Sequence, residues 1–169
     1  MKKRIVFAVI ALLALTAGAS VAARGPSTAE ERQKAVQFAR HLESDPLSRS
    51  ARDERAWFTV WLAEVPDINV SVCVEFYPSL LQSQKNHATE LVMQAVYSTA
   101  AFVIEHQDQS QDESAKYLAG VEGALRAYES ILQKEPKAHW PVLDDLLAKR
   151  EKGELAAFVT ATAPKCSKK

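Results

Sequence analysis

The stretch Leu91 to Ile104 reads LVMQAVYSTAAFVI and lies between Glu90 and Glu105 with no charged residue inside it. Its apolar side chains do not keep to one face of a helix. Leu91, Ala95 and Phe102 mark one side, Val92, Val96 and Val103 a second, and Met93, Tyr97 and Ile104 a third. A helix that is hydrophobic all round has to be covered all round. At about 1.5 Å per residue the run is too short to cross a bilayer, which takes roughly 17 to 25 apolar residues. The stretch therefore predicts the central helix of a bundle, and with it an all-α fold.

On its C-terminal side the polar run His106 to Gln111 predicts a turn, and Ser110 with Glu113 has the spacing of a capping box. The helix that follows extends to about Lys134, with Leu118, Val121, Leu125, Tyr128 and Leu132 stepping by three and four as a packing seam. Beside that seam lie Gly120, Gly123, Ala124 and Ala127. Each glycine weakens a helix by about 1 kcal/mol relative to alanine, which a close approach to the central helix would offset. Pro136 ends this helix, and Pro141 suits the first turn of the next, whose apolar edge is Leu143, Leu146 and Leu147 and whose end is capped by Gly153. Leu155, Phe158 and Val159 predict a last short helix before a tail that carries Cys166.

On its N-terminal side Asn86 and Thr89 are the candidate caps. The segment from Asp67 to Tyr77 is ambiguous. Ile68, Val70, Val72, Val74 and Phe76 alternate with polar neighbours, the period of a half-buried strand, while Ile68, Val72 and Phe76 also fall at helical spacing. A lone strand in a helical chain leaves its edges unsatisfied, so an irregular helix interrupted near Pro78 is the preferred expectation for residues 68–77. Further upstream, Ser48 or Ser50 opens a helix in which Trp57, Val60 and Trp61 share a face beside Phe58 and Leu62, stopped by Pro66. Before that, Ser27 and Thr28 followed by Glu30 and Glu31 predict a capping box for a first helix, with Ala35, Phe38, Ala39 and Leu42 on its buried stripe. The count is about six helices.

The N-terminus follows the three-part plan of a secretory signal: Lys2, Lys3 and Arg4, an apolar run Ile5 to Leu15, then small residues ending at Ala22 and Ala23. Its compact form points to bacterial export, to the periplasm or the medium; an uncleaved anchor is the competing reading. Residues 1–23 are thus expected to be a signal peptide, 24–27 a linker and 28–169 one helical domain. Without Lys2, Lys3 and Arg4 the 21 basic residues fall to 18 against 21 acidic ones, a net charge of about −3. There is no basic stripe of the kind that nucleic-acid binding needs. The tail residues Lys165, Lys168 and Lys169 form a solvated end. Two cysteines in an exported chain favour a disulfide, Cys73 with Cys166, closing a loop of about 90 residues.

Candidate sites are few. His41, His87, His106 and His139 are scattered, and His87 with Glu90, or Glu105, His106, Asp108 and Asp112, do not form the paired Glu and Glu-x-x-His elements of a carboxylate-bridged metal bundle. No Cys-x-x-Cys-His, Gly-x-Ser-x-Gly or glycine-rich phosphate loop is present, so no cofactor, metal or catalytic residue is assigned. Ala124, Tyr128 and Pro136, with Ile131 between them, resemble the second helix of a tetratricopeptide repeat. The resemblance covers that stretch alone, lacks the repeat's first-helix Trp, Leu-Gly and Tyr, and has no second copy; it implies a helical hairpin mediating protein contacts. Trp57 and Trp61, one turn apart, either pack into the core or line a groove for an apolar ligand or partner helix, rimmed by Arg52, Glu54 and Arg55. The expectation is a non-catalytic binding or scaffolding module of the bacterial envelope, contacting another envelope protein or a small apolar ligand, with a hydrolase or other enzyme of dispersed site as the alternative.

Overall fold

The computed structural model describes residues 24–166. They form six α-helices: α1 (Ala29–Ser44), α2 (Ala51–Glu64), α3 (Ala88–Glu105), α4 (Glu113–Lys134), α5 (Pro141–Glu151) and α6 (Leu155–Cys166). The all-α fold predicted from the sequence is observed, and no strand occurs among the described residues. The proposed signal peptide, residues 1–23, lies outside them.

Of the 18 residues of α3, 11 are buried, and they face every direction around its axis. Two separate apolar cores explain this. Leu91, Val92 and Ala95, in the first half of α3, pack with Val121, Leu125, Tyr128 and Ile131 of α4, with Leu143 and Leu146 of α5, and with Leu155 and Val159 of α6. Tyr97, Ala100 and Ala101, in the second half, pack with Ala35, Ala39 and Leu42 of α1 and with Phe58 and Trp61 of α2. One helix is therefore shared by two clusters that otherwise use different elements. The Phe58 ring stacks on Tyr97 at 4.5 Å, and the Tyr97 hydroxyl meets Thr59 Oγ1 at 2.8 Å, so the ring is buried with its polar tip satisfied.

The glycines of α4 do what their spacing predicts. A Cβ on Gly120 would lie 2.5 Å from Thr99 Oγ1 and 2.9 Å from the Ala95 carbonyl, and one on Gly123 would lie 1.9 Å from Ser98 Oγ. The backbones of α3 and α4 approach closely only because those atoms are missing. Thr99 faces Lys116 while Ala95 faces Gly120, so the two helices run in opposite directions as a hairpin.

Cys73 and Cys166 are bonded, their Cα atoms 5.2 Å apart across 93 positions of sequence. Cys166 is the last residue of α6 rather than part of a tail beyond it, so the bridge fastens a helix end to the segment before α3. Phe158 of α6 packs on Phe76 of that same segment, with ring centroids 6.2 Å apart.

Several local expectations are corrected. Residues 68–77 are neither a strand nor a continuous helix: Ile68 to Cys73 is irregular and a single 3-10 turn spans Val74–Phe76. The period-two pattern survives as alternating burial, with Ile68 buried, Asn69 and Ser71 exposed, and Val70 and Val72 half-buried. Neither Asn86 nor Thr89 caps α3. The N-cap is His87, and Asn86 and His87 both take positive φ, 48° and 57°. That turn is held by tertiary bonds, His87 Nε2 to Glu135 at 2.9 Å and Trp140 Nε1 donating to the Asn86 carbonyl at 2.9 Å. At α4 the cap is Asp112, whose carboxylate accepts from the Ala115 N–H, in place of the Ser110–Glu113 box. Ser50 occupies the N-cap of α2 without a side-chain capping bond. Thr28 and Glu31 do form the capping box of α1, Pro141 opens α5, and Gly153, at φ 73°, follows its C-cap.

Candidate functional site

Trp61 is buried at the junction of α1 and α2, only 3% exposed, and Trp57 stacks on it with ring centroids 5.4 Å apart and planes 11° from parallel. Phe38 of α1 meets Trp57 edge-on at 5.3 Å, and Lys34 Nζ sits 4.4 Å from the Trp57 ring centre. This arrangement combines the two alternatives for the pair: Trp61 is core, and Trp57 covers it while half-exposed. Val60 does not share their burial. It points outward at 58% exposure, more than Leu81 at 48%.

Val60 is a ridge between two surface grooves. One, about 430 Å³, is lined by Trp57, Trp61, Ala56, Arg24, Glu31 and Glu64. The other, about 410 Å³, lies between α2 and α3 and is lined by Arg55, Thr59, Thr89, Glu90, Met93 and Tyr97, with Ala56 and Val60 again. The polar rim differs from the expected one. Glu54 is buried, bonded to His41 Nδ1 at 2.7 Å, and Arg55 donates to the Pro46 carbonyl at 3.0 Å. The rim of the tryptophan groove is instead Arg24, Glu31 and Glu64, with Arg24 ion-paired to both carboxylates. The Thr28 backbone N–H, followed by the Arg24 charge and the nearby Trp61 indole, holds the Glu31 carboxyl below its ordinary range.

A buried charge cluster lies elsewhere, where α1, α3 and α4 meet. Glu43 is 5% exposed. Its Oε1 accepts from Ser98 Oγ at 2.7 Å and from Arg40 at 2.8 Å, and Arg126 grips both oxygens from Nε and Nη2 at 2.8 and 3.0 Å. Burial by itself raises this carboxyl, but the Arg126 bonds, the Ser98 hydroxyl and the two guanidinium charges outweigh it and hold it below the ordinary range. Gln94 extends the network, donating to Ser98 Oγ and to the Ala39 carbonyl. Nothing in the local sequence marks it, because Glu43 and Arg126 are 83 residues apart.

The histidines are distributed among separate pairs. His41 meets Glu54, His87 meets Glu135, and His139 meets Asp144 at 3.2 Å. Tyr128 donates to Asp144 at 2.7 Å and accepts from the Trp140 N–H at 2.8 Å, which ties α4 to the start of α5. Burial and the neighbouring Asp144 push its hydroxyl pKa up, so it stays a neutral donor. Tyr128 is the aromatic of the repeat-like stretch, and its work here is this corner. Of the histidines and carboxylates weighed as metal ligands, His87 is bonded to Glu135 and Glu105 to Arg40. Among the described residues no three His, Cys, Asp or Glu side chains converge as a metal site would require. No described helix is long and apolar enough to cross a membrane. No family model, curated protein or solved structure matches the chain.

Proposed function

We propose that the protein is a non-catalytic binding module of the bacterial envelope, exported by its N-terminal segment, that presents the outer face of α2 to the apolar side of a partner protein's helix or to a small apolar ligand. One observation carries this reading: Val60 stands exposed between two grooves whose floors are the half-buried Trp57 and Met93. An aromatic and aliphatic patch with a charged rim is the common make-up of a protein contact surface. The disulfide supports the location, since such bonds persist in oxidising compartments. His41, His87 and His139 pair with separate carboxylates, and no histidine lines either groove, which supports a binding role for this face.

The test is a photo-crosslinking amino acid placed at position 60, with a second placed at the exposed Thr160 of α6 as control. Illumination of the exporting cells is expected to give one dominant adduct from position 60 and none from position 160. Excess unlabelled protein should compete it away, and the Val60→Asp form should not. Equal, diffuse labelling from both positions would overturn the assignment.

A further inference from the structure

We propose a second binding site, for a small zwitterion of the amino-acid type, in a cavity of about 570 Å³ where α1, the loop after α2 and the α3–α4 turn meet. Lys116 and Arg32 hold its carboxylate; Glu113 and the carbonyl end of α3 hold its ammonium. The volume is that of a small-molecule site, and the cavity shares no residue with the grooves around Val60. The observation that carries the proposal is Lys116, which lines the cavity although it is only 8% exposed. Among the described residues its ammonium meets one partner, the Glu113 carboxylate one turn back on α4, at 2.5 Å. An ammonium has three N–H donors, and leaving the others unmade at a buried position is costly. A ligand acceptor in the cavity satisfies them.

The rest of the lining sets the charge of the occupant. Arg32 donates from Nε to Ser27 Oγ at 2.7 Å and from Nη2 to Asp67 at 2.8 Å, which leaves Nη1 without a partner among the described residues. Asp67 in turn accepts from the Ser27 N–H, the Ser27 hydroxyl and Arg32, so it fixes the guanidinium and is itself engaged. The spare donors are thus cationic. The spare acceptors lie with Glu113 and the last turn of α3. The final backbone bond of that helix runs from the His106 N–H to Phe102, so the carbonyls of Val103 and Ile104 accept no backbone N–H. This end of a helix dipole favours a cation. Arg32 and Lys116 balance Asp67 and Glu113, so the lining is neutral. A bare anion would face Glu113 and the carbonyls, and a bare cation would face Lys116 and Arg32. A molecule carrying one charge of each sign suits both. Its side chain meets the amides of Asn69, Gln107 and Gln111 and the apolar surface of Ile68.

Calorimetric titration of the purified protein with each common free L-amino acid in turn tests this directly. At least one is expected to bind, and in isotope-labelled protein to shift the side-chain amide signals of Asn69, Gln107 and Gln111. The C-terminal amide and the N-acetyl form of that amino acid, each lacking one of the two charges, should bind about tenfold more weakly or worse. Lys116→Met should weaken binding by a similar factor, and Arg32→Gln carries the same expectation if Lys116→Met does not fold. Val60→Asp should leave binding intact, which separates this site from that on α2. The proposal is overturned if no amino acid binds, if binding leaves those amide signals unmoved, or if Lys116→Met and Arg32→Gln both fold and bind as the parent does. Equal binding of the amide or the N-acetyl form would also overturn it. So would displacement by acetate at the amino acid's own concentration, by showing a site for simple anions.

Discussion

Glu43 is the residue on which three helices depend, because its carboxylate is buried and binds Arg40 of α1, Ser98 of α3 and Arg126 of α4. Replacing it by Ala leaves Arg126 and Ser98 facing an apolar junction, and a loss of about 2 to 3 kcal/mol in urea unfolding is expected. The arginines are each about two-fifths exposed, which keeps the figure below that for a fully buried pair. The sign of the pH effect follows from the lowered carboxyl. Its contribution is present above the ordinary value of 4.5 and is lost as pH falls through the lower folded value. Stability should therefore hold down to about pH 4.5 and decline below it, and Glu43→Gln should flatten that decline. Gly123→Ala tests the neighbouring contact. Its Cβ would meet Ser98 Oγ and, at 2.8 Å, Glu43 Oε1, so a loss of about 2 kcal/mol or more is expected, partly restored when Ser98→Gly makes room. An unfolding midpoint unaltered by Gly123→Ala would contradict the close approach of α3 and α4.

At the scale of elements, α3 was legible because a run with no charged residue and no single polar face admits few arrangements. The small-residue face of α4 was legible too, since Gly120, Gly123, Ala124 and Ala127 repeat at helical spacing. The caps were not. Asn86, Thr89 and Ser110 are all sound capping residues by local rules, and the choice among them was made by contacts distant in sequence, such as His87 to Glu135 and Trp140 to Asn86. Residues 68–77 show the same limit differently: their alternation is real, yet a strand needs a partner, and the fold supplies none among the described residues. The α2 face was half legible. Helical spacing grouped Trp57, Val60 and Trp61, but only packing against α1 decides that Trp61 goes inward and Val60 outward. At this scale the bridge between Cys73 and the end of α6 is also testable. For a separation of 93 residues the chain-entropy model gives at most about 4 to 5 kcal/mol. Cys73→Ser with Cys166→Ser should lower stability by part of that amount. Hydrogen exchange should show α6 losing protection before α1 and α2 do.

Across the whole molecule, α3 joins two cores that have few other residues in common, the α1–α2 core around Tyr97 and the α4–α5–α6 core around Leu91. If the spine holds both together, damage at one end should be felt at the other. Leu91→Ala is expected to cost about 3 kcal/mol, whereas Val60→Asp, on the surface, should change stability by less than about 0.5 kcal/mol. The function proposed for that surface was only partly visible in the sequence, because exposure is a property of the assembled helices rather than of any motif. The claim on which the rest depends is that α3 is one buried spine and the molecule one cooperative unit. Native-state hydrogen exchange of α3 under increasing denaturant tests it most directly. The account predicts that amides in both halves, near Leu91 and near Ala100, are the slowest in the protein and open in a single event with the free energy of global unfolding. Opening of the half near Ala100 together with α1 and α2, at a lower free energy than the half near Leu91, would contradict it.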